Sequence, residues 1–255
     1  MGIKTKLTKR ILSDIIDVQK LTKTKNGVSD TVYILNDKYI LKLFETASVE
    51  NIKNEIYILD LVKNIKVPKI KKDIFFIKNK PILLYKKCKG NSLIKVKTKH
   101  IKQIGKFLNK FHTLTKNKSI SNNKLFTKLN LKKLIKKTNN KEFKTLFKTI
   151  NIKLKNDGII HGDLFVDNAI FKNDKLSCII DFGDSCDGDF LLDLAIASIS
   201  WCKTKKDLEI ILNSYGSTMK LANFQKYINY ALLYYSVTRY LDNRDYQELL
   251  KKIKL

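Results

Sequence analysis

Apolar residues recur along this chain with two different periods, and the change from one to the other divides it. Segments 20–25, 31–35, 39–44, 74–77 and 82–85 are short apolar, branched or aromatic runs separated by turn residues, which is the pattern of strands. Asn26-Gly27-Val28-Ser29-Asp30, Asn36-Asp37 and Asn79-Lys80 supply tight turns between them. Two stretches in the same region keep a helical period instead. Leu7, Ile11, Ile15 and Val18 predict an opening helix, and Ile52, Ile56, Leu59 and Val62 a second one that Ser48 is placed to cap. The spacing predicts a small, mostly antiparallel sheet accompanied by helices.

At 85–90 the chain turns from apolar to polar and ends on Gly90, so a boundary is expected there, with 1–86 before it and 87–255 after it. Helical spacing then dominates. Ile101, Gly105, Leu108 and His112 share one face, and Phe143, Leu146, Phe147 and Ile150 share another. Segment 190–201 reads as a buried helix, Thr204 with Asp207 as a capping box, Gly216 as a stop, and 224–241 and 244–254 as closing helices. The Lys/Asn-rich stretch 116–140 fits either an insertion or a solvated helix pair. One hairpin interrupts the helices: 169–171 and 176–180, turning at Asn173-Asp174.

With 255 residues, 44% of them hydrophobic, the chain can bury the core of a two-lobed α/β (α+β) protein. Its net charge of +27 would ordinarily point to nucleic acid, yet only three residues, Arg10, Arg239 and Arg244, are arginine. Charge carried almost entirely by scattered lysine fits a solvated surface better than phosphate forks or base readout, which favour arginine. A nucleic-acid partner is therefore not expected. No membrane association is expected either: Asp14 and Asp17 interrupt the basic N-terminal segment, and no apolar run reaches spanning length. The cytoplasm is the expected location. The cysteines show no metal-ligand spacing, and no motif specifies an oligomeric state.

One stretch reverses the charge. Between His161 and Asp193 lie eight aspartates against only Lys172 and Lys175. Asp163 opens a polar loop, Asn168 closes it, and Asp181 stands just past the returning strand of the hairpin. The last two can share a hard cation that prefers oxygen ligands, which leaves Asp163 as a base. Phosphoryl transfer from ATP needs such a set: one carboxylate for the attacking hydroxyl, and an Asn and an Asp for Mg²⁺ on the nucleotide phosphates. Upstream, Glu55 falls on or beside the buried stripe of its helix and needs a cationic partner, for which Lys42 on the preceding strand is the candidate. Gly27 would let backbone approach a phosphate, and Ser29 could offer it a hydroxyl and an amide.

These motifs carry a resemblance. His161-Gly162-Asp163 with Asn168, then Ile180-Asp181-Phe182, then Asp193-Leu194-Ala195, resembles the aminoglycoside phosphotransferase-like superfamily of small-molecule kinases. The run His161–Phe165 with Asp167-Asn168, Cys186, Asp193–Ala195 and Trp201-Cys202 is most similar to the type II homoserine kinases. The resemblance implies a protein-kinase-like fold, with a small antiparallel-sheet N-lobe that binds nucleotide and a mainly helical C-lobe that carries the catalytic loop and acceptor site. It implies ATP and Mg²⁺ as cofactors, a small hydroxyl substrate such as homoserine, and support of the loop by His161 and Asp193. Arg239 sits where that group carries an Arg on a late helix. For an acceptor with an ammonium and a carboxylate, Asp184 and Arg239 are the candidate contacts. Choline, sugar and aminoglycoside kinases remain alternatives, as does an inactive kinase fold that binds RNA. A protein kinase fits less well, because Gly162 follows His161 where an Arg belongs and the Asp181–Asp193 interval is short.

Overall fold

The computed structural model describes residues 4–13, 15–24, 30–120 and 125–254. Gly27 and Ser29 lie outside these residues. The chain divides into two compact units, Met1–Lys89 and Gly90–Leu255.

The first unit contains a short helix α1 (Lys9–Leu12), strands β1 (Leu21–Lys23), β2 (Thr31–Leu35) and β3 (Tyr39–Leu43), helix α2 (Val49–Leu61), and strands β4 (Ile70–Ile77) and β5 (Lys80–Lys86). The strands form an antiparallel sheet in the order β1-β2-β3-β5-β4. Both hairpin turns, Asn36-Asp37 and Lys78-Asn79, have positive φ at the two central residues. Asn and Asp tolerate that conformation, and the twist it gives matches paired strands. Tyr33, Leu35, Leu41, Leu43, Ile82 and Leu84 occupy one sheet face and pack with Leu7, Leu12 and Val18.

The opening helix is much shorter than its periodicity predicts. The backbone N–H groups of Thr5 and Leu7 donate to side chains of the sheet, Thr31 Oγ1 and Tyr33 OH respectively. The apolar residues are thus buried by an extended entry rather than by a long helical face.

The second unit begins with α3 (Thr98–Thr115), α4 (Lys128–Thr138) and α5 (Lys141–Thr149). Strand β6 (Gly158–Ile160) pairs with β9 (Cys186–Gly188), and between them lies the hairpin of β7 (Ala169–Lys172) and β8 (Lys175–Ile179). Helices α6 (Phe190–Trp201), α7 (Lys205–Tyr215), α8 (Leu221–Leu241) and α9 (Gln247–Leu250) follow. Within 116–140, α4 runs from an N-cap at Thr127 to a left-handed Asn139 and buries Leu131 and Ile135, so that part of the stretch is a packed helix. The last helix is shorter than predicted because Asn229 bonds both the N–H and the carbonyl of Lys254, which holds the tail out of helical pairing. Among the described residues no helix is long and apolar enough to cross a membrane.

Contacts at β7 and at the turn fix the hairpin on its own unit. Asn91 pairs antiparallel with Phe171, and Gly90, at φ +112°, lies so close that a Cβ there would stand 2.0 Å from the Phe171 carbonyl oxygen. At the turn, Asp174 accepts from His100 Nε2 at 2.8 Å and pairs with Lys97 and Lys99; the Lys99 hydrogen bond, and then that of His100, hold its carboxyl down at about 2.

Candidate active site

The loop after β6 is built on a buried carboxylate. Asp193, fully buried in the first turn of α6, accepts the backbone N–H of His161 and of Gly162 at 2.9 Å each, and His112 Nε2 at 2.8 Å. Burial alone would raise this carboxyl, but the His112 hydrogen bond and charge outweigh it and hold Asp193 below the usual range. Three donors are what make a carboxylate tolerable at this depth. His112 is itself anchored, with Nδ1 2.9 Å from the Tyr215 hydroxyl and its ring stacked on Phe190.

His161 is a tie between strands. Its Nδ1 accepts from the Asp163 N–H at 3.2 Å, which leaves Nε2 to donate to the Ile180 carbonyl at 3.3 Å. Burial pushes the imidazole pKa down, so the neutral ring suits this one-donor, one-acceptor role. Gly162 takes φ +79°, and a Cβ there would meet the Asp184 carbonyl at 2.6 Å. Only glycine allows that turn and that approach together.

This backbone path presents Asp163, half-buried, to the Asn168 side chain. Asn168 Nδ2 donates to the Asp163 carbonyl at 2.7 Å and to its Oδ2 at 2.9 Å. The amide nitrogen is therefore committed to Asp163, and neither of these bonds uses the amide oxygen. Ile180 N–H donates to the Asn168 carbonyl at 2.9 Å, which fixes the start of β7 against the end of β8 one residue before Asp181. Asp181 is exposed and holds φ +65°, the left-handed region that Asp tolerates and most other side chains avoid. Burial, and then the charges of Asp184, Asp181 and Asp167, push the Asp163 carboxyl up to about 8.

A divalent cation fits this donor set. An amide oxygen and an exposed carboxylate, set among further carboxylates, suit Mg²⁺, which takes one or two protein oxygens and completes its shell with phosphate and water. Among the described residues no group of three or more His, Cys, Asp or Glu side chains is placed to hold a metal ion without further ligands.

In the first unit, Lys42 Nζ lies 3.6 Å from Glu55 Oε2 on α2 and 3.6 Å from Asp30 Oδ2. Tyr85 OH donates to Glu55 Oε1 at 2.7 Å. Asp30 and Tyr85 were not among the residues singled out above, although strand parity could have found them. Lys42 pairs in register with Val32 and Leu83, so Asp30 and Tyr85, each two residues further along, share its face.

Asp184 lies exposed in the turn after Asp181 and contributes to the field on Asp163. Arg239, near the end of α8, donates to the Asp245 carbonyl at 3.4 Å. No hydrogen bond or ion pair among the described residues joins it to the Asp163 cluster.

A family model described as a phosphotransferase enzyme family matches residues 20–224. The chain belongs to that family. The chain is 40% identical over 78 residues to a homoserine kinase of Bradyrhizobium diazoefficiens, covering 28% of this chain and 23% of that protein. It is 27% identical over 214 residues to a homoserine kinase of Methylobacillus flagellatus, covering 75% and 65%. The chain thus spans under a quarter of the first relative's length and just under two thirds of the second's. Among solved structures, wild-type aminoglycoside 2'-phosphotransferase-IIIa in its GDP complex superposes with a TM-score of 0.73 at 16% identity, covering 95% of each chain. Choline kinase LicA from Streptococcus pneumoniae gives 0.71 at 19%, covering 95% of this chain and 96% of that one. These likenesses establish a protein-kinase-like fold, with an antiparallel sheet in one part and mainly helices in the other.

Proposed function

We propose that this small-molecule phosphotransferase works in the cytoplasm and moves the γ-phosphate of ATP to a hydroxyl, with homoserine as the acceptor. The observation that carries the reading is the Asp163–Asn168 pair, in which the Asn168 amide nitrogen holds a carboxylate oxygen and the backbone carbonyl of Asp163. Asp163 accepts the proton of the acceptor hydroxyl as that oxygen bonds to the γ-phosphorus and the bond to ADP breaks. A group poised near neutrality suits this exchange. Asn168 Oδ1 and Asp181 would hold Mg²⁺, which neutralises charge on the transferring phosphate. Residues 1–86 bind the nucleotide: Lys42, oriented by Glu55, engages its phosphates, with Gly27 and Ser29 supplying backbone and hydroxyl contacts. The remainder, 87–255, carries the acceptor site. There Asp184 meets the ammonium of homoserine and Arg239 its carboxylate, to which a planar guanidinium fork is matched.

Homoserine is favoured by the resemblance of the His161–Asp193 motifs to the type II homoserine kinases and by the likeness of the chain to proteins of that name. Choline is the second reading, favoured by the structural likeness to the pneumococcal choline kinase and by the carboxylates around Asp163. One assay separates them: ADP release by the purified protein with Mg·ATP and, in turn, homoserine, choline, hexosamines, methylthioribose and aminoglycosides. Homoserine-dependent release that Asp163→Asn lowers at least roughly 10²-fold is expected, the scale of general-base loss. Arg239→Lys should raise KM for homoserine about tenfold, the scale of one charge-assisted hydrogen bond, with KM for ATP unchanged. Turnover with choline or a sugar alone would exclude homoserine, and no turnover with any acceptor would exclude the kinase reading.

A further inference from the structure

Among the described residues, Tyr235 is the side chain of helix α8 that hydrogen-bonds to the loop. The Tyr235 hydroxyl donates to the Gly162 carbonyl and lies 3.4 Å from Asp163 Oδ1. Its ring packs beside Phe165, with centroids 5.0 Å apart, and Phe126, at 6.2 Å. The neighbouring Tyr234 is buried against Phe126 at 4.5 Å, and no hydrogen bond among the described residues joins its hydroxyl to the loop.

Gly162 is consequently held from both sides, with its N–H on Asp193 Oδ1 and its carbonyl on Tyr235. The two oxygens of Asp163 also have different neighbours. Oδ2 accepts from Asn168, inside the loop, and Oδ1 faces the phenol of a helix more than seventy residues away in sequence. Two contacts on two oxygens fix the rotation of a carboxylate about its last bond, which neither does alone. A base must present one lone pair to the reacting proton, and small errors in that aim are costly in rate.

We propose that Tyr235 is a positioning residue for Asp163. It sets the plane of the carboxylate, and through Gly162 the height of the loop, without touching the reacting atoms. The proposal rests on Asp163 being the base, and the test keeps the two apart. Tyr235→Phe keeps the ring packing and removes only the hydroxyl, and Tyr234→Phe serves as the packing control. With the acceptor that supports turnover, Tyr235→Phe should lower kcat about tenfold, the scale of one well-placed hydrogen bond, with KM for ATP within about twofold. Thermal unfolding should shift by no more than about 2–4 °C. The Asp163 ¹³Cγ resonance, identified by its loss in Asp163→Asn, should move in Tyr235→Phe and stay in place in Tyr234→Phe. A kcat equal to wild type overturns the proposal, as does an unmoved resonance, or a kcat loss matched by rises in both KM values. If no hydroxyl is phosphorylated at all, it is the kinase reading that fails, and the resonance alone then decides whether Tyr235 orients this carboxyl.

Discussion

His112 Nε2 and the His161 backbone N–H converge on the same oxygen of Asp193, Oδ2, at 2.8 and 2.9 Å. A helix side chain and the active-site loop thus share one buried acceptor. His112→Ala should cost about 2 kcal/mol, the scale of a hydrogen bond to a buried charge, and His112→Gln, which keeps a donor, should recover part of it. Urea unfolding of the two variants against wild type measures the difference.

The raised carboxyl of Asp163 makes stability depend on pH in a stated direction. The folded protein keeps a proton there up to about 8, whereas the unfolded chain releases it near 3.8. Stability from this group therefore falls as pH rises through that window and levels off above it. Asp163→Asn abolishes the penalty. With EDTA present, its unfolding temperature should exceed that of wild type by a margin that grows from pH 5 to pH 8. Added Mg²⁺ should narrow the margin, because a cation near the cluster favours the charged carboxylate. A constant margin across pH would contradict the assignment.

Asp181 combines a left-handed backbone with an exposed carboxylate, and substitutions can separate the two. Asp181→Gly and Asp181→Ala should both abolish Mg²⁺-dependent turnover. Glycine accepts φ +65° freely, so the Gly variant should be more stable than the Ala variant by about 1 kcal/mol. Asn168→Ala should instead raise the Mg²⁺ concentration needed for half-maximal rate. A Mg²⁺ titration paired with thermal melts reads both effects.

Glu55 has a partner on each carboxylate oxygen, the Tyr85 hydroxyl donating to Oε1 and the Lys42 ammonium ion-paired with Oε2 at 3.6 Å. Tyr85→Phe leaves the Lys42 contact in place and should raise KM for ATP only a few-fold, at a stability cost of about 1 kcal/mol. Glu55→Ala, which frees Lys42 from α2, should raise it tenfold or more. Equal effects from the two variants would separate Glu55 from nucleotide binding.

What the sequence made legible was whatever local chemistry decides. The Asn36-Asp37 and Asn173-Asp174 turns, the 190–201 helix, and the Thr204–Asp207 capping box with its Gly216 stop all stand where their residue types place them. Asp163, Asn168 and Asp181 are likewise joined by a hairpin whose turn is written in the chain. The second hairpin turns at Lys78-Asn79, one residue earlier than expected, because turn residues alone do not fix register. The short opening and closing helices were set by Tyr33 and Asn229, partners distant in sequence that no periodicity reveals. Tyr235 was hidden for the opposite reason: α8 is buried on most sides, so no polar face marks which of its tyrosines meets a functional atom.

Gly90 bears on how this sequence can drift. Its contact with residue 171 runs through the carbonyl oxygen of that residue and not through the phenylalanine ring. Replacing the ring leaves the backbone obstacle where it was, so position 171 can exchange among large apolar residues that fill the space beside His100 and Trp201. Position 90 has no such freedom, since every side chain begins with the atom that would collide. A library randomised at both sites and selected for folded protein should return several residues at 171 and glycine alone at 90, with no covariation between them despite their direct contact.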